Sequence, residues 1–562
     1  MSPSDPKQCD PSKDEARVGD SRYLDVSLAG GEQRIPFSPG GSIRDILDTT
    51  GLRVRSACGG AGACGLCRIR VEQGDVNPPT ANEVNRLGRE LIGQGFRLAC
   101  QVRPLRDVRI SMEEPAPQSN WRSLRETECL PSAYAGNAST GNYGGMQTRS
   151  GYGAAVDLGT TRIRVSLLDL STGKRIAGRS GLNPQGAFGA DVLTRLLAAS
   201  ESADRARELG RLARDAIGEA LLDIAAREGL ALGKISRLTI VGNTAMLCLL
   251  AQKNYELLLS PDNWMRAGDC RPQETRGWGA AWGLAPETPI ELVQLVAGFV
   301  GSDLLAGVLA TGLTTGPAGT LLIDFGTNSE MALWDGETVW VTSAAGGPAF
   351  EGCGISCGMP AEPGAVYRAA MVDDGPEFVC DVLGGGQAKG ICGSGLVDVV
   401  AVLLRTGKLK RNGRLAHDTV ENMAEKGILL SKEQGGITLK NQDIDALQRA
   451  KAAIGAGVQC LLAKAGMGGR DLRRICVCGA FGRQLDIGNA QEIGLLPAIP
   501  VERIELCGNT ALAGCEQMLL SPDGTAMLEP LRDRCRIINL ALAAGFDDLF
   551  IENLYLKSMP LA

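Results

Sequence analysis

One short pattern constrains this chain more than any other: VDLGTT at 156–161 returns as IDFGTN at 323–328. Each copy ends an apolar run in Asp-x-Gly-Thr and opens onto a second alternating run, RIRVSLLDL after the first and SEMALWDG after the second. A strand that stops there and doubles back is a hairpin whose glycine leaves room for close approach of another group. Later strand ends also carry glycine, in VGNTAM (241–246) and VCGAFG (477–482). A duplicated α/β unit accounts for all four segments. The length agrees, because 562 residues are too many for one compact core and enough for two to four domains.

What precedes the repeat has a different texture. Residues 1–20 are rich in Asp, Lys, Ser and Pro and read as a disordered tail. From Tyr23, YLDVSLAG and GEQRIPFSPG form a hairpin pattern, and SIRDILDTTG predicts a short helix capped by Ser42 and stopped by Gly51. A loop rich in glycine and cysteine follows, then strands in CRIRVEQG and VRISMEEP. The expected domains are therefore 21–114, a flexible linker at 115–150 marked by PAPQSN and AGNASTGNYGG, and the duplicated unit at 151–562 in halves of about 151–320 and 321–562. Within that unit long helices are expected near 203–228 and 443–465.

Composition removes several function classes. The chain has 58 Lys and Arg against 64 Asp and Glu, a net charge of −6, so it carries no basic footprint for nucleic acid or an anionic membrane. No run of about 18 apolar residues spans a bilayer, and the polar N-terminus has no secretory apolar core. The expected location is cytoplasmic, where 18 cysteines serve as metal ligands or buried small hydrophobes rather than disulfides. The single histidine, His417, excludes multi-His metal sites and leaves one residue for any His-based nucleophile chemistry.

Cys58, Cys64, Cys67 and Cys100 are spaced C-x5-C-x2-C-x32-C. The plant-type [2Fe–2S] pattern is C-x4-C-x2-C with a distant fourth cysteine. The glycines of GGAGACG let backbone N–H groups approach the sulfides and offset their charge. The extra residue in the first spacing resembles adrenodoxin- and putidaredoxin-like ferredoxins. Three other readings fit less well. A thioredoxin-like pair at Cys64 and Cys67 lacks a βαβ setting, and a four-cysteine zinc site would show two short pairs. Gly60, Gly62 and Gly65 spell G-x-G-x-x-G but interleave with cysteines and open no long helix. The remaining cysteines, among them Cys353, Cys357, Cys476, Cys478, Cys507, Cys515 and Cys535, repeat no cluster spacing and read as buried thiols.

No G-x4-G-K-[ST] loop is present, so the phosphate motif has to be the repeat itself. Gly159 frees the backbone to hug a phosphate, Thr160 and Thr161 add donors, and Asp157 orients Mg²⁺ through water. Asp324, Gly326, Thr327 and Asn328 repeat the set from the second half, and Gly479, Ala480 and Gly482 close a nearby strand end. One Asp-x-Gly-Thr describes many hairpin turns. Two matched copies suggest jaws that grip a triphosphate, with a pair of purely structural hairpins as the alternative still open.

The repeat resembles the actin, sugar-kinase and Hsp70 ATPase superfamily. From about residue 20 to its end the chain also resembles a narrower family, the reductive activators of corrinoid-dependent methyltransferases. The stretches that carry this are NPQGAFGADVLTRL (183–196), IVGNTAMLCLL (240–250), IDFGTNSEMAL (323–333), SAAGGPAFEG (343–352), GICGSGLVD (390–398), AKAAIGAGV (450–458), GAFG with IGLLP (479–497) and GNTALAG (508–514). The resemblance implies an α+β, ferredoxin-like (β-grasp) [2Fe–2S] domain joined to a duplicated α/β, actin-like (RNase H-like) ATPase. It adds Gly393, Ser394 and Gly395 to the nucleotide site; Asp191 and Glu330 are candidates for orienting the attacking water, with a structural role for either as the alternative. It implies ATP, Mg²⁺ and the cluster as cofactors. The implied partners are a corrinoid protein of a methyltransferase system and an upstream electron donor such as a reductase or ferredoxin, and a homodimer is compatible with it.

The implied activity returns inactive Co(II) to Co(I) with one electron. Ferredoxin clusters sit near about −400 mV, and each 59 mV uphill costs about tenfold in equilibrium constant, so a closing ATPase supplies what a ferredoxin alone lacks. Three departures from relatives stand out. No C-terminal C-x2-C-x2-C run exists, residues 101–150 are too short and polar for an extra middle domain, and VGNTAM is followed by Leu247 and Cys248 where a histidine is expected. Two rival functions remain: a small-molecule kinase with a redox sensor, using Asp191, and an electron-transfer module whose actin-like half is only a scaffold.

Overall fold

The computed structural model describes residues 22–28, 31–47, 50, 52, 54, 62, 65, 67–112, 121–124, 151–189, 191–266, 268–371, 378–415, 427–431, 436–481 and 483–559. Three main sheets follow one another along the chain.

The first is built from β1 (Arg22–Leu28), β2 (Gly31–Phe37), β3 (Arg68–Val76), β4 (Phe96–Leu98) and β5 (Pro104–Ser111), in the order β2-β1-β5-β3-β4. β1 and β5 run parallel, and the other pairs are antiparallel. Alternation along the strands turns Leu24, Val26, Ile35, Phe37, Val108 and Ile110 into one core under the helix Ile43–Leu47. Ser42 caps that helix as expected: its hydroxyl accepts the Asp45 N–H at 3.2 Å while the Asp45 carboxylate accepts the Ser42 N–H at 2.8 Å. The helix Ala81–Gly93 was not among the elements expected above, although Val84, Leu87 and Leu91 fall at helical spacing and a Thr80/Glu83 capping box holds its start.

The second and third sheets repeat one topology. The second joins β6 (Arg122–Ser123), β7 (Tyr152–Leu158), β8 (Arg162–Asp169), β9 (Arg175–Leu182), β10 (Ile235–Gly242) and β11 (Ile290–Leu292) in the order β11-β10-β7-β8-β9-β6. The third joins β12 (Thr320–Phe325), β13 (Ser329–Trp334) and β14 (Val339–Ala344) to later strands. Between come β15 (Ala365–Met371), β16 (Phe378–Val382) and β17 (Gly390–Ile391) in one small sheet and β18 (Ile428–Ser431) with β19 (Ile437–Leu439) in another. With β20 (Arg474–Gly479), β21 (Ile504–Gly508) and β22 (Cys535–Ile537) the third sheet reads β21-β20-β12-β13-β14-β22. In each, an antiparallel meander of three strands is extended by two parallel ones. The helices Ala203–Glu228 and Asn441–Ala465 lie where expected. Among the described residues no helix is long and apolar enough to cross a membrane.

One stretch departs from expectation. The described residues inside 115–150 belong to the second sheet. β6 pairs antiparallel with β9, and Trp121, 6% exposed, lies over Gly181, where a Cβ would fall 2.7 Å from its ring. A two-residue strand is too short to show periodicity, so polar composition hid it. The first sheet's domain is also docked. Arg44 donates to Glu228 at 2.8 Å, and Glu228, fully buried, also accepts from Arg179 at 3.2 Å.

Candidate functional site

The β3–β4 pairing places Arg68 opposite Leu98, which brings the flanking Cys67 and Cys100 together. Their Sγ atoms are 3.4 Å apart and both residues are buried. Two thiolates on one tetrahedral metal with bonds of about 2.3 Å lie about 3.8 Å apart, so this pair fits a shared iron with a small adjustment. The Cys67 hydrogen bond pulls the Cys100 thiol down to about 6 against the opposing effect of burial, with help from Gln101 and the Gly62 backbone. Gly62 has φ +74°, and a Cβ there would meet the Gln101 side chain at 2.8 Å. Glu83 steadies the hairpin from behind, accepting from Arg97 Nε at 2.8 Å and from the Leu98 N–H at 3.1 Å. Cys58 and Cys64 lie outside the described residues.

The two Asp-x-Gly-Thr hairpins meet. Thr161 Oγ1 and Thr327 Oγ1 are 3.2 Å apart, and both donate to Glu351 Oε2, at 2.9 and 2.7 Å. Around them Asp157, Gly159, Thr160, Asp324, Gly326, Asn328, Gly479 and Ala480 line a cavity of about 100 Å³, and a second cavity of about 70 Å³ lies beyond Glu351. Specific ligand pockets usually start at about 300 Å³, so the jaws have to part for a nucleotide to seat. Each jaw is supported from below. Asn183 and the buried Arg195 donate to the Gly159 and Thr160 carbonyls at 3.0 and 2.6 Å. Gly479 has φ +84°, and a Cβ there would fall 2.3 Å from the Asp324 carboxylate, so only glycine lets β20 end at this point.

The cleft is electrically polarised. Asp157, Asp303, Asp324 and Glu330 form one side. Asp157 is held by Arg164 at 3.2 Å and by Asn509 at 2.6 Å. Burial first, then the neighbouring carboxylates, push Asp303 and Asp324 up to about 7 and Glu330 well above the usual carboxylate range. Acids raised in this way gain from a divalent cation, which lets them ionise together. Arg122, Arg162 and Arg164 line the second cavity, where an anion is favoured. A metal–phosphate complex satisfies both sides.

Comparison with known proteins separates the same three regions. Residues 26–105 match the 2Fe-2S iron-sulfur cluster binding domain, 152–316 the RACo middle region, and 318–561 the C-terminal domain of RACo, the ASKHA domain. The chain is 30% identical over 421 residues to the corrinoid activation enzyme RamQ of Eubacterium limosum, covering 72% of this chain and 70% of that one. The chain belongs to the reductive activators of corrinoid proteins. Within this family it is also 27% identical over 445 residues to the Co(II) methylated amine-specific corrinoid protein reductase of Methanosarcina barkeri, covering 73% of this chain and 78% of that one. A solved structure described as a reductive activator for corrinoid, iron-sulfur protein superimposes with a TM-score of 0.65 at 26% identity, covering 96% of this chain and 99% of that one. A ferredoxin-type domain and an actin-like ATPase with duplicated sheets are the fold of this activator.

Some residues singled out in the sequence lie elsewhere. Asp191 is not among the residues lining either cavity. Its carboxylate accepts the Thr194 N–H at 2.8 Å and caps the helix Val192–Glu201. Gly393, Ser394 and Gly395 are buried at the start of the helix Gly393–Arg405 and line neither cavity. A Cβ on Gly393 or Gly395 would lie 2.3 Å from the Phe350 or Val366 carbonyl, so these glycines answer to helix packing. Gly482 lies outside the described residues. Cys248, at the position where a histidine was expected, is buried with its thiol pushed up to about 12 by burial and lines neither cavity. Glu330 does reach the cleft. Sequence reasoning missed Asp303, Glu351, Asn243 and Asn509 as cleft residues. The last three sat inside quoted motifs, but nothing in their spacing marked the side chain. Asp303 sits in an ordinary helix start.

Proposed function

We propose that this activator uses ATP to deliver one electron to the Co(II) centre of a corrinoid protein, regenerating Co(I). The observation that carries the reading is one chain holding both a paired-cysteine loop and a two-jaw phosphate cleft, with β6 tying the segment after the first to the sheet of the second. Cys58, Cys64, Cys67 and Cys100 would hold the [2Fe–2S] cluster, which when bound supplies a one-electron store. The buried Glu83–Arg97 pair keeps Cys100 against Cys67, and the Gly62 backbone bonds the Cys100 sulfur.

In the cleft, Gly159, Thr160, Thr161, Gly326, Thr327 and Asn328 would bind the triphosphate. Asp157, Asp303, Asp324 and Glu330 would hold Mg²⁺, directly or through water. Glu351 bridges the threonine hydroxyls that phosphate would claim, so nucleotide entry exchanges a protein carboxylate for a stronger anion and moves one jaw relative to the other. In the kinase alternative Asp191 would have to act on a substrate while capping the helix Val192–Glu201. The electron donor would be a reductase or a ferredoxin. A cytoplasmic setting suits this activity, and a homodimer is compatible with it.

The test mixes purified protein, a strong chemical reductant and a Co(II) corrinoid protein, following the cobalt spectrum with and without Mg-ATP. Wild type should form Co(I) only with nucleotide. Cys67→Ser should hydrolyse ATP yet form no Co(I), and Asp324→Ala should keep a reducible cluster yet also fail. Equal Co(I) formation without ATP would refute the reading.

A further inference from the structure

The edge strand β6 touches both functional ends of the molecule. On one side Arg122 lines the cleft cavity with Thr161, Arg162, Glu351, Gly479 and Ala480. Its Nε lies 3.7 Å from Glu362, the carboxylate that also pairs with Arg162, so two guanidinium groups share one acid beside the phosphate loops. On the other side Ser123 and Leu124 line a cavity of about 320 Å³ together with Arg44, Arg179 and the cluster ligand candidate Cys100. β6 pairs Arg122 with Ser180 and Ser123 with Arg179 on β9. Arg179 binds Glu228, and Glu228 binds Arg44. Arg44 in turn donates its backbone N–H to the Ala99 carbonyl at 3.0 Å, one residue from Cys100.

We propose that β6 is the coupling element between nucleotide and cluster domain, with Arg122 as a triphosphate-binding residue supplied by the segment that leaves the cluster domain. The proposal rests on the reading of the cleft as an ATP site. A triphosphate is a stronger partner for guanidinium than a carboxylate already shared with Arg162. Arg122 therefore favours the nucleotide over Glu362. Because a two-residue strand is held by few hydrogen bonds, its displacement is inexpensive compared with moving a longer strand. Moving β6 shifts the backbone against Arg179 and so biases the Arg179–Glu228–Arg44 contact that seats the cluster domain. ATP binding thereby changes how that domain sits, and by reciprocity docking changes nucleotide affinity.

The experiment uses the full chain with Mg²⁺ and a non-hydrolysable ATP analogue, measuring affinity and peptide-resolved hydrogen exchange. In wild type the analogue should protect 157–161 and alter exchange severalfold at both 121–124 and 43–47. Arg122→Gln should bind the analogue about ten- to a hundredfold more weakly, the loss expected for one charged hydrogen bond. At saturation it should still protect 157–161 while 43–47 no longer responds. Arg122→Lys should restore most of the response, which a purely structural residue would not require. Glu228→Gln should lose the response at 43–47, with any change in analogue affinity no larger than the coupling lost with that contact. Wild-type affinity and a wild-type response at 43–47 in Arg122→Gln would overturn the proposal while leaving the ATP site standing. Protection at 157–161 with no change at 43–47 in wild type would overturn it equally. No protection at 157–161 at all would remove the ATP site and this inference together.

Discussion

The two ATPase sheets are copies in topology but not in charge, and the difference assigns them different work. Asp157 on β7 faces Arg164 on β8, whereas Asp324 on β12 faces Glu330 on β13 at the matching hairpin position. One aspartate is thus born with a cation, while the other meets a second acid and is pushed up to about 7 by burial and neighbouring charge. The first jaw is electrostatically complete in the protein alone. The second sets acid against acid, so the two hairpins carry opposite pairings at one matched position. The edges differ too: β6, drawn from the segment after the cluster domain, occupies the place that β22 fills in the other sheet.

The largest effect that can break this comparison is catalytic. Asp324→Asn should lower Mg-dependent ATP hydrolysis about 10²–10³-fold, the size seen when one preorganised electrostatic group is removed, without lowering thermal stability at pH 8. Steady-state hydrolysis and a melting curve on the same protein decide it. A melting point that falls with the activity would mean Asp324 is structural after all.

Next is stability in the other jaw. Asp157→Ala strands Arg164, which is 18% exposed at its side chain, and should cost about 3 kcal/mol as a broken buried pair. Chemical denaturation should show that loss, and Arg164→Met in the same background should recover part of it. Equal stability of Asp157→Ala and Asp324→Asn would erase the asymmetry.

A smaller effect lies in pH. Asp303 and Asp324 sit at about 7 in the folded chain, above the ordinary value near 3.8, so the folded state keeps protons that the unfolded state has released. Their contribution to stability is present below about 4 and is lost as pH rises towards 7, on the order of 1 kcal/mol per pH unit for each group. Without Mg²⁺ the melting temperature should therefore fall between pH 5 and pH 8, and Mg²⁺ should restore more at pH 8 than at pH 6. Asp324→Asn should flatten the profile. The smallest effect is Thr160→Ala, for which ATP affinity should change by less than about tenfold because backbone amides still meet the phosphate.

Much of this was legible for a physical reason. Asp-x-Gly-Thr is a demand of close backbone approach, and Gly159, where a Cβ would lie 2.8 Å from the Arg162 carbonyl, shows the demand directly. The cysteine spacing was legible because thiolates must converge, and Cys67 and Cys100 do. What stayed hidden was set by partners distant in sequence. Asn509 reaches Asp157 across 352 positions, and the contrast between Arg164 and Glu330 needs the strand register to be seen. Asp191 and Gly393–Gly395 show why such motifs are ambiguous, because capping a helix and packing one closely call for the same residue types as binding phosphate.

The burial of the other thiols bears on how the protein is made. Burial holds Cys248, Cys270 and Cys535 at about 12 and Cys357 and Cys380 at about 11, while Cys100 lies at about 6. Iron is captured by thiolates, so these five thiols are poor ligands beside Cys100. That contrast exists only after folding, since in an unfolded chain all eighteen cysteines ionise alike. Iron and sulfide are therefore expected to sort better on a folded chain than on an unfolded one. Cluster reconstitution started from denatured chain should scatter metal over sites that the native protein conceals.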